Sequence, residues 1–494
     1  MSPTPKTVLC ACEDVSADEV RHAFEAGHRD LESVKRYTAF GTGPCQGKSC
    51  AAAVTRELLR LGATPAEIAP FTARPPADPV TLGELAAIDP APLSLDEGVP
   101  CAAPPRGPPP AAATLPARAD VVIVGGGIMG LALAWNLARR GVRDVVVLEA
   151  GYLNAGASGR NGGGVRAQWS TPTMIRLARR SLALIARFAT ELGVNVWFRR
   201  GGYLFLAATR EDAASLERAQ RLHEAHGLRT RVLSPDAARD IVPQLDTSRF
   251  VAAAYNPDDG TVFPWPFLWG YAGQAQALGV KVLTFTRVTG LEAVGRRLAA
   301  VVTDRGRIAC DTVVNAAGAW SKGIAALAGV ALPNRPTRHE ILVTESMKPW
   351  LDPLVSVIGS GLYFSQSQRG EVVGGMGDPR EPEGVVMGST LRFLARFARA
   401  ITGCAPVTAG LRVVRQWAGC YDVTPDNYPV LGAAGFENFL QLSGFVGHGF
   451  MMAPAVAELM AGWMAGDAPD EIFTRFTVER FARGELTRET LIIG

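Results

Sequence analysis

The sequence lacks the features that would place it in a membrane, on nucleic acid or outside the cell. No apolar run is long enough to cross a bilayer. The nearest candidate, VVIVGGGIMGLALAW at 121–135, is too short, is broken by glycines and runs into Asn136, Arg139 and Arg140. The opening MSPTPKTVLC has no basic-then-apolar leader pattern. Aromatic residues make up only 7%, and 50 Lys and Arg stand against 47 Asp and Glu, a net charge of +3 with no basic block. This balance argues against a nucleic-acid partner and for a small substrate. No internal repeat is present. A cytoplasmic protein without a membrane span is the expectation.

Cysteine is also scarce, eight in 494 residues, yet four of the eight, Cys10, Cys12, Cys45 and Cys50, fall in the first fifty. Disulfides are disfavoured in the cytoplasm, where clustered thiols more often bind metal or carry redox chemistry. Cys101, Cys310, Cys404 and Cys420 are scattered and read as core or loop residues.

The length predicts two or three domains. Residues 1–75 read as short helices. Ser16 and Glu19 form a capping box for a helix ending at Gly27, Asp30 caps a second to about Tyr37, a third runs from about Cys50 to Leu61, and Thr64-Pro65 opens a fourth. Residues 76–118, including APPRGPPPAAATLPA, are Pro/Ala-rich and read as a semi-rigid tether. From 119 to 465 strands and helices alternate. Residues 466–494 read as a polar tail. The fold class expected is α/β, with α+β character where the sheet is mixed.

Four thiolates suffice for a [2Fe–2S] centre. FGTGP before Cys45 brings the backbone in close, the helix after Cys50 points its positive end at an anionic cluster, and Lys48 adds a cation. Composition leaves structural zinc and unrelated core cysteines open beside iron.

The second signal is ADVVIVGGGIMGLALAWNLARRGVRDVVVLEAG at 119–151. A strand enters G-x-G-x-x-G at Gly125, Gly127 and Gly130, with Ile128 and Met129 inside the motif. A helix and a second strand follow, ending in Glu149. Such glycines let a pyrophosphate approach a helix N-terminus, and the acid accepts from ribose hydroxyls. ASGRNGGGVR at 157–166 adds Ser158, Arg160, Asn161, Gly162 and Gly163 as flavin contacts. Val288, and Ala317, Gly318 and Trp320 in DTVVNAAGAW, are further cofactor contacts. So is the turn of Gly444, Gly447, His448, Gly449, Phe450 and Met451, whose helix start can stabilise negative charge on a flavin.

These stretches, with RQWAGCYDVTPDNYPVLG (415–432) and GFVGHGF (444–450), resemble the D-amino-acid-oxidase-like FAD amine oxidoreductases over about 119–465. Within it they look like the sarcosine oxidase beta-subunit type, beside opine oxidase and hydrogen cyanide synthase flavoprotein subunits. CACEDVSADEVRHAFEAGHRDLESVKRYTAFGTGPCQGKSC resembles the bacterioferritin-associated-ferredoxin-like [2Fe–2S] domain, which implies Cys10, Cys12, Cys45 and Cys50 as cluster ligands. The resemblance implies a Rossmann-like FAD-binding domain interleaved with a mixed-sheet substrate domain, to which RRGGYLFLA (199–207) and GLYFSQS (361–367) contribute strands.

Three departures qualify it. Gly419 stands where relatives attach FAD to a cysteine, with Cys420 one position off, so non-covalent FAD is expected. Phe263 stands near a histidine that elsewhere binds FMN covalently; a non-covalent FMN at a subunit interface stays open. Tyr421 and Met451 replace the arginine and lysine that hold a substrate carboxylate, leaving Arg166, Arg338 and Arg415 as unranked candidates. His448, Tyr363 and Tyr421 are the expected catalytic contacts. The activity implied is oxidation of an amine or amino acid to an imine by hydride transfer to flavin. Electrons then pass through the cluster to a partner, a second flavoprotein subunit in a hetero-oligomer. Competing readings are an electron-transfer subunit without its own substrate, a tRNA-modifying enzyme, and oxidation of glycine to cyanide.

Overall fold

The computed structural model describes residues 6–72, 74–95, 114–486, 489 and 491. The N-terminal module is a two-stranded ribbon, β1 (Val8–Cys10) and β2 (Val15–Ser16), with three short helices, α1 (Ala17–Glu25), α2 (Leu31–Thr38) and α3 (Ala51–Arg60). Its caps are those expected. Ser16 and Glu19 bond reciprocally at α1, and the Asp30 carboxylate accepts from the Glu32 and Ser33 amides at α2. Val20, Val34, Val54 and Leu58 close a small core around Phe40, next to the buried Cys10 and Cys50. The helix expected at Thr64-Pro65 is only a turn. Glu67 bonds back to the Thr64 amide as a capping box would, but also pairs with Arg29 at 2.6 Å, which ties the segment to the module.

The expected tether at 76–118 is in part a built element. Its strand β3 (Val80–Thr81) pairs antiparallel with Arg412 and Val413 at the edge of a nine-stranded sheet. Helix α4 (Leu82–Ala86) starts from a Thr81–Glu84 capping box and buries Leu82 and Leu85 in that sheet's core. One capped turn with two apolar side chains on one face is enough to dock, even among prolines. Residues 96–113, with Cys101 and most of the Pro/Ala-rich stretch, lie outside the described residues.

The main body is mixed α/β, as expected. In the eight-stranded sheet, β4 (Arg118–Val124) lies parallel between β5 (Val145–Leu148) and Gly306–Asn315. β5 and the 121–124 end of β4 are continuous apolar runs, as strand segments buried on both faces must be. Helix α5 (Ile128–Arg139) and the helix Gly449–Met464 pack together in the largest core. The nine-stranded mixed sheet carries the other wall of the cleft.

The expected polar tail also folds back. Ile472, Phe473 and Phe476 enter the largest core, and Arg480 is buried against Asp426. Three apolar residues within one turn suffice to anchor it, although its average composition is polar. No helix among the described residues is long and apolar enough to cross a membrane.

Candidate active site

A cleft of about 450 Å³ opens where β4 and β5 end. Backbone packing explains the glycine motif. A Cβ on Gly125, at φ +113°, would stand 2.4 Å from the Ala316 carbonyl oxygen, and one on Gly130 would stand 2.1 Å from the Gly125 carbonyl oxygen. Gly127 precedes α5, whose N-terminus has no side-chain cap. Ser158 accepts from the Ile128 amide at 3.0 Å, which brings the 157–164 loop against the start of α5. Glu149 ends β5 with its carboxylate on the amides of Gly126 (2.9 Å) and Gly151 (2.8 Å); burial pushes its carboxyl up.

The expected cofactor residues from all five segments line this one cleft: Gly125, Gly127, Ile128 and Met129; Glu149; Ser158 and Arg160 to Gly163; Val288, Ala317, Gly318 and Trp320; and Gly444 with Gly447 to Met451. Gly130 lies beneath it, in the α5–β4 contact.

The opposite wall is aromatic. His339, on Arg335–Ser346, stacks on Tyr421 (centroids 4.4 Å, 8°) and lies parallel to Tyr363 (5.6 Å, 12°). Its Nε2 is 3.2 Å from the Tyr363 hydroxyl. Tyr363 reaches across the neighbouring strand because Gly375 presents no side chain there; a Cβ would stand 2.5 Å from its hydroxyl. The Tyr421 ring sits on Gly447, where a Cβ would stand 2.3 Å away. Burial lowers the His339 imidazole to about 4. Burial, and then Arg166, keep His448 well below its ordinary value. Arg166 approaches His448 Nε2 at 3.4 Å, and a guanidinium only donates, so Nε2 accepts and the proton sits on Nδ1. Both imidazoles are therefore neutral. His339 was not foreseen; the signal was an imidazole inside the strand RHEILV, flanked by two charged residues in an apolar run.

None of the three candidate arginines is offered to the cleft. Arg166 donates to Gln168 and Leu491 carbonyls, Arg338 pairs with Glu381 at 2.8 Å, and Arg415 is half-buried near Glu13 and Glu371. Gly419 faces the cleft against Arg160. Cys420, next on the strand and so on its other face, has its thiol 3.2 Å from the Val386 carbonyl. With the Cys420 thiol engaged by the Val386 carbonyl, acid precipitation is expected to release all the FAD into the supernatant, measured by its absorbance; flavin fluorescence left in the pellet would contradict this.

The four N-terminal thiols come together in two pairs, Cys12 with Cys45 and Cys10 with Cys50. Burial raises Cys45, but the amides of Ser49 and Gly47 and the Cys12 thiol outweigh it and pull the thiol down. Burial, then Cys10, pushes Cys50 up to about 12. Gly43 makes room for Cys12: a Cβ there would stand 2.4 Å from the Cys12 Cβ. Among the described residues no three His, Cys, Asp or Glu side chains converge on one metal position.

Residues 120–463 match the family described as FAD dependent oxidoreductase. The chain belongs to that family. It is an enzyme, an FAD-dependent oxidoreductase of the sarcosine oxidase beta subunit type. Residues 4–89 match the sarcosine oxidase A3 domain, which takes in the thiol module and the β3–α4 segment. Sarcosine oxidase subunit beta of Rhizobium meliloti is 30% identical over 375 residues, 75% of this chain and 90% of that protein. The L-proline dehydrogenase from P. horikoshii superposes with a TM-score of 0.72 at 33% identity, covering 76% of this chain and all of that one. Glycine oxidase from Geobacillus kaustophilus gives 0.68 at 25% identity, over 74% and 99%. The glycine cradle, the start of α5 with no cap from Gly127 itself, and the buried Glu149 fit FAD.

Proposed function

We propose that this enzyme oxidises an amine or amino acid, at a carbon bonded to nitrogen, to the imine. Cys10, Cys12, Cys45 and Cys50 would hold a [2Fe–2S] cluster, which would supply one-electron transfer toward a partner subunit, a second flavoprotein. The observation that carries this reading is the thiol module seated on the same body as the cleft. Glu13 pairs with Arg369, Gln46 donates to the Val414 carbonyl, Gln416 donates to Pro75 at 2.7 Å, and Tyr37 packs on Trp269 at 4.9 Å. Two thiol pairs suit a two-iron centre, with two thiolates on each iron.

Bound FAD would supply the hydride acceptor, and a cluster one-electron transfer, chemistry no side chain has. The wall of Tyr421, His339 and Tyr363 is uncharged and rich in hydroxyl and imidazole, so it favours the neutral amine, the form that gives up hydride. Facing it, the turn at Gly444–Gly447 and the first amides of Gly449–Met464 place a helix N-terminus at the cleft, which favours negative charge there. With none of Arg166, Arg338 and Arg415 offered for a carboxylate, Tyr363, Tyr421 and His448 are the groups that orient substrate. Phe263 is a half-exposed ring stacked on Trp197 at 5.5 Å, so a second flavin at a subunit interface would be held there without a covalent bond. The relatives named as a beta subunit support a multi-subunit assembly.

Anaerobic purification with iron, zinc and flavin analysis, then EPR after dithionite, tests the relay. About two irons per chain and a rhombic signal are expected. Flavin without iron, or zinc in its place, would sink the cluster. Sarcosine, proline, dimethylglycine and glycine are then mixed with the oxidised enzyme. Bleaching of the flavin identifies the substrate class. No bleaching by any amine would leave an electron-transfer subunit, and cyanide formed from glycine would replace imine as the product.

A further inference from the structure

Helix α2 and the cleft loop 151–160 meet in a buried patch of charge that amine oxidation does not need. Glu32, Lys35 and Arg36 are all buried. The Glu32 carboxylate holds Lys35 at 2.8 Å, Arg36 at 2.9 Å and the Thr72 amide at 2.9 Å. Arg36 then leaves its own module. It donates to the Asn154 carbonyl at 3.1 Å, and its guanidinium lies 4.5 Å over the Tyr152 ring. Arg74 sits among Arg160, Arg36, Glu32 and Tyr152, and among the described residues it makes no hydrogen bond or ion pair. Three cations, Lys35, Arg36 and the partly buried Arg74, thus share one carboxylate. Buried charge without a counter-charge is costly, so this patch calls for an anion. Tyr152, Asn154 and Arg160 line the FAD cleft from the same loop. Asn154 is held at φ +72° with both amide atoms of its side chain buried and unpartnered, so a loop already strained is fixed from behind by Arg36.

We propose that this patch is the outer half of the FAD site. Arg36 and Arg74, from outside the FAD domain, fix loop 151–160 and balance the charge of the anionic cofactor on its other face, so FAD binding and docking of the N-terminal module are one coupled equilibrium. Coupling of this kind is reciprocal: what the module does for FAD, FAD does for the module. The inference rests on FAD alone and is independent of what the thiols hold.

The test uses the full chain stripped of FAD and titrated back by flavin fluorescence. Arg74→Met and Arg36→Met are expected to raise the FAD dissociation constant at least tenfold, and Arg74→Lys by less. Hydrogen exchange on the wild type, which needs no variant to fold, should show α2 amides protected when FAD is added and released when it is removed. Unchanged affinity in folded Arg74→Met, or α2 exchange indifferent to FAD, would overturn the proposal. So would equal α2 protection by inorganic phosphate without FAD, since the arginines would then serve a separate anion.

Discussion

Gly130→Ala is expected to give a folded protein that purifies colourless. The added methyl would stand 2.1 Å from the Gly125 carbonyl oxygen and 3.1 Å from an Ile123 methyl. The first of these neighbours is backbone, and it belongs to the turn on which the motif depends. Relief therefore requires α5 to lift from β4. Such overpacking costs about 1–3 kcal/mol or more. The larger consequence is positional, because the shift moves the start of α5 from where a pyrophosphate would meet it. The chain keeps its cores, so its circular dichroism should match the wild type while the flavin-to-protein absorbance ratio falls near zero. Gly273→Ala is the control. It lies inside the helix Pro264–Ala277, and a Cβ there meets nothing within 4 Å. It should keep its FAD and gain up to ~1 kcal/mol of stability from helix propensity. A Gly130→Ala protein with full flavin content would remove the close α5–β4 contact from the account of the cofactor site.

That glycine was legible in the sequence because its constraint is local. Strand, turn and helix adjoin in the chain, and the spacing alone reports the packing. The same holds for the caps at Ser16 and Asp30. His339 was not legible, since its meaning lies in Tyr421 and Tyr363, which reach it from two other strands. The β3–α4 segment and the C-terminal turn were lost for another reason. Averages over a proline-rich or polar stretch dilute two or three apolar residues that decide docking. Arg166, Arg338 and Arg415 show the converse. Each reads as a free cation in the sequence, and only the fold reveals that Arg166 and Arg338 donate elsewhere and that Arg415 lies near Glu13 and Glu371.

Arg480→Met is expected to destabilise the enzyme by about 3–5 kcal/mol, the range for leaving one member of a buried ion pair uncompensated. Arg480 donates to Asp426 through Nε at 2.7 Å and Nη2 at 2.9 Å, and to the carbonyls of Tyr428 and Phe476 at 3.0 and 2.8 Å. The two side chains are 2% and 1% exposed, so water cannot replace the lost donors. The loss should show as a lower thermal midpoint and a lower urea midpoint at unchanged slope. Pairing it with Asp426→Asn should cost less than the sum of the two single changes, because the double variant no longer buries an unpaired carboxylate. Arg480→Lys should fall between, since an ammonium cannot bridge both carboxylate oxygens in the arginine's geometry. The contact also bears on the cleft. Asp426 accepts from the Tyr428 amide at 3.2 Å, Thr424 donates to the Tyr428 carbonyl at 2.7 Å, and the Thr424 methyl packs under Gly444, where the cleft's glycine turn begins. A weakened anchor should therefore release FAD at a lower temperature than in the wild type, read as flavin fluorescence during heating. If Arg480→Met melts within a degree of wild type, the C-terminal turn is an appendage and not part of the wall that holds the cofactor.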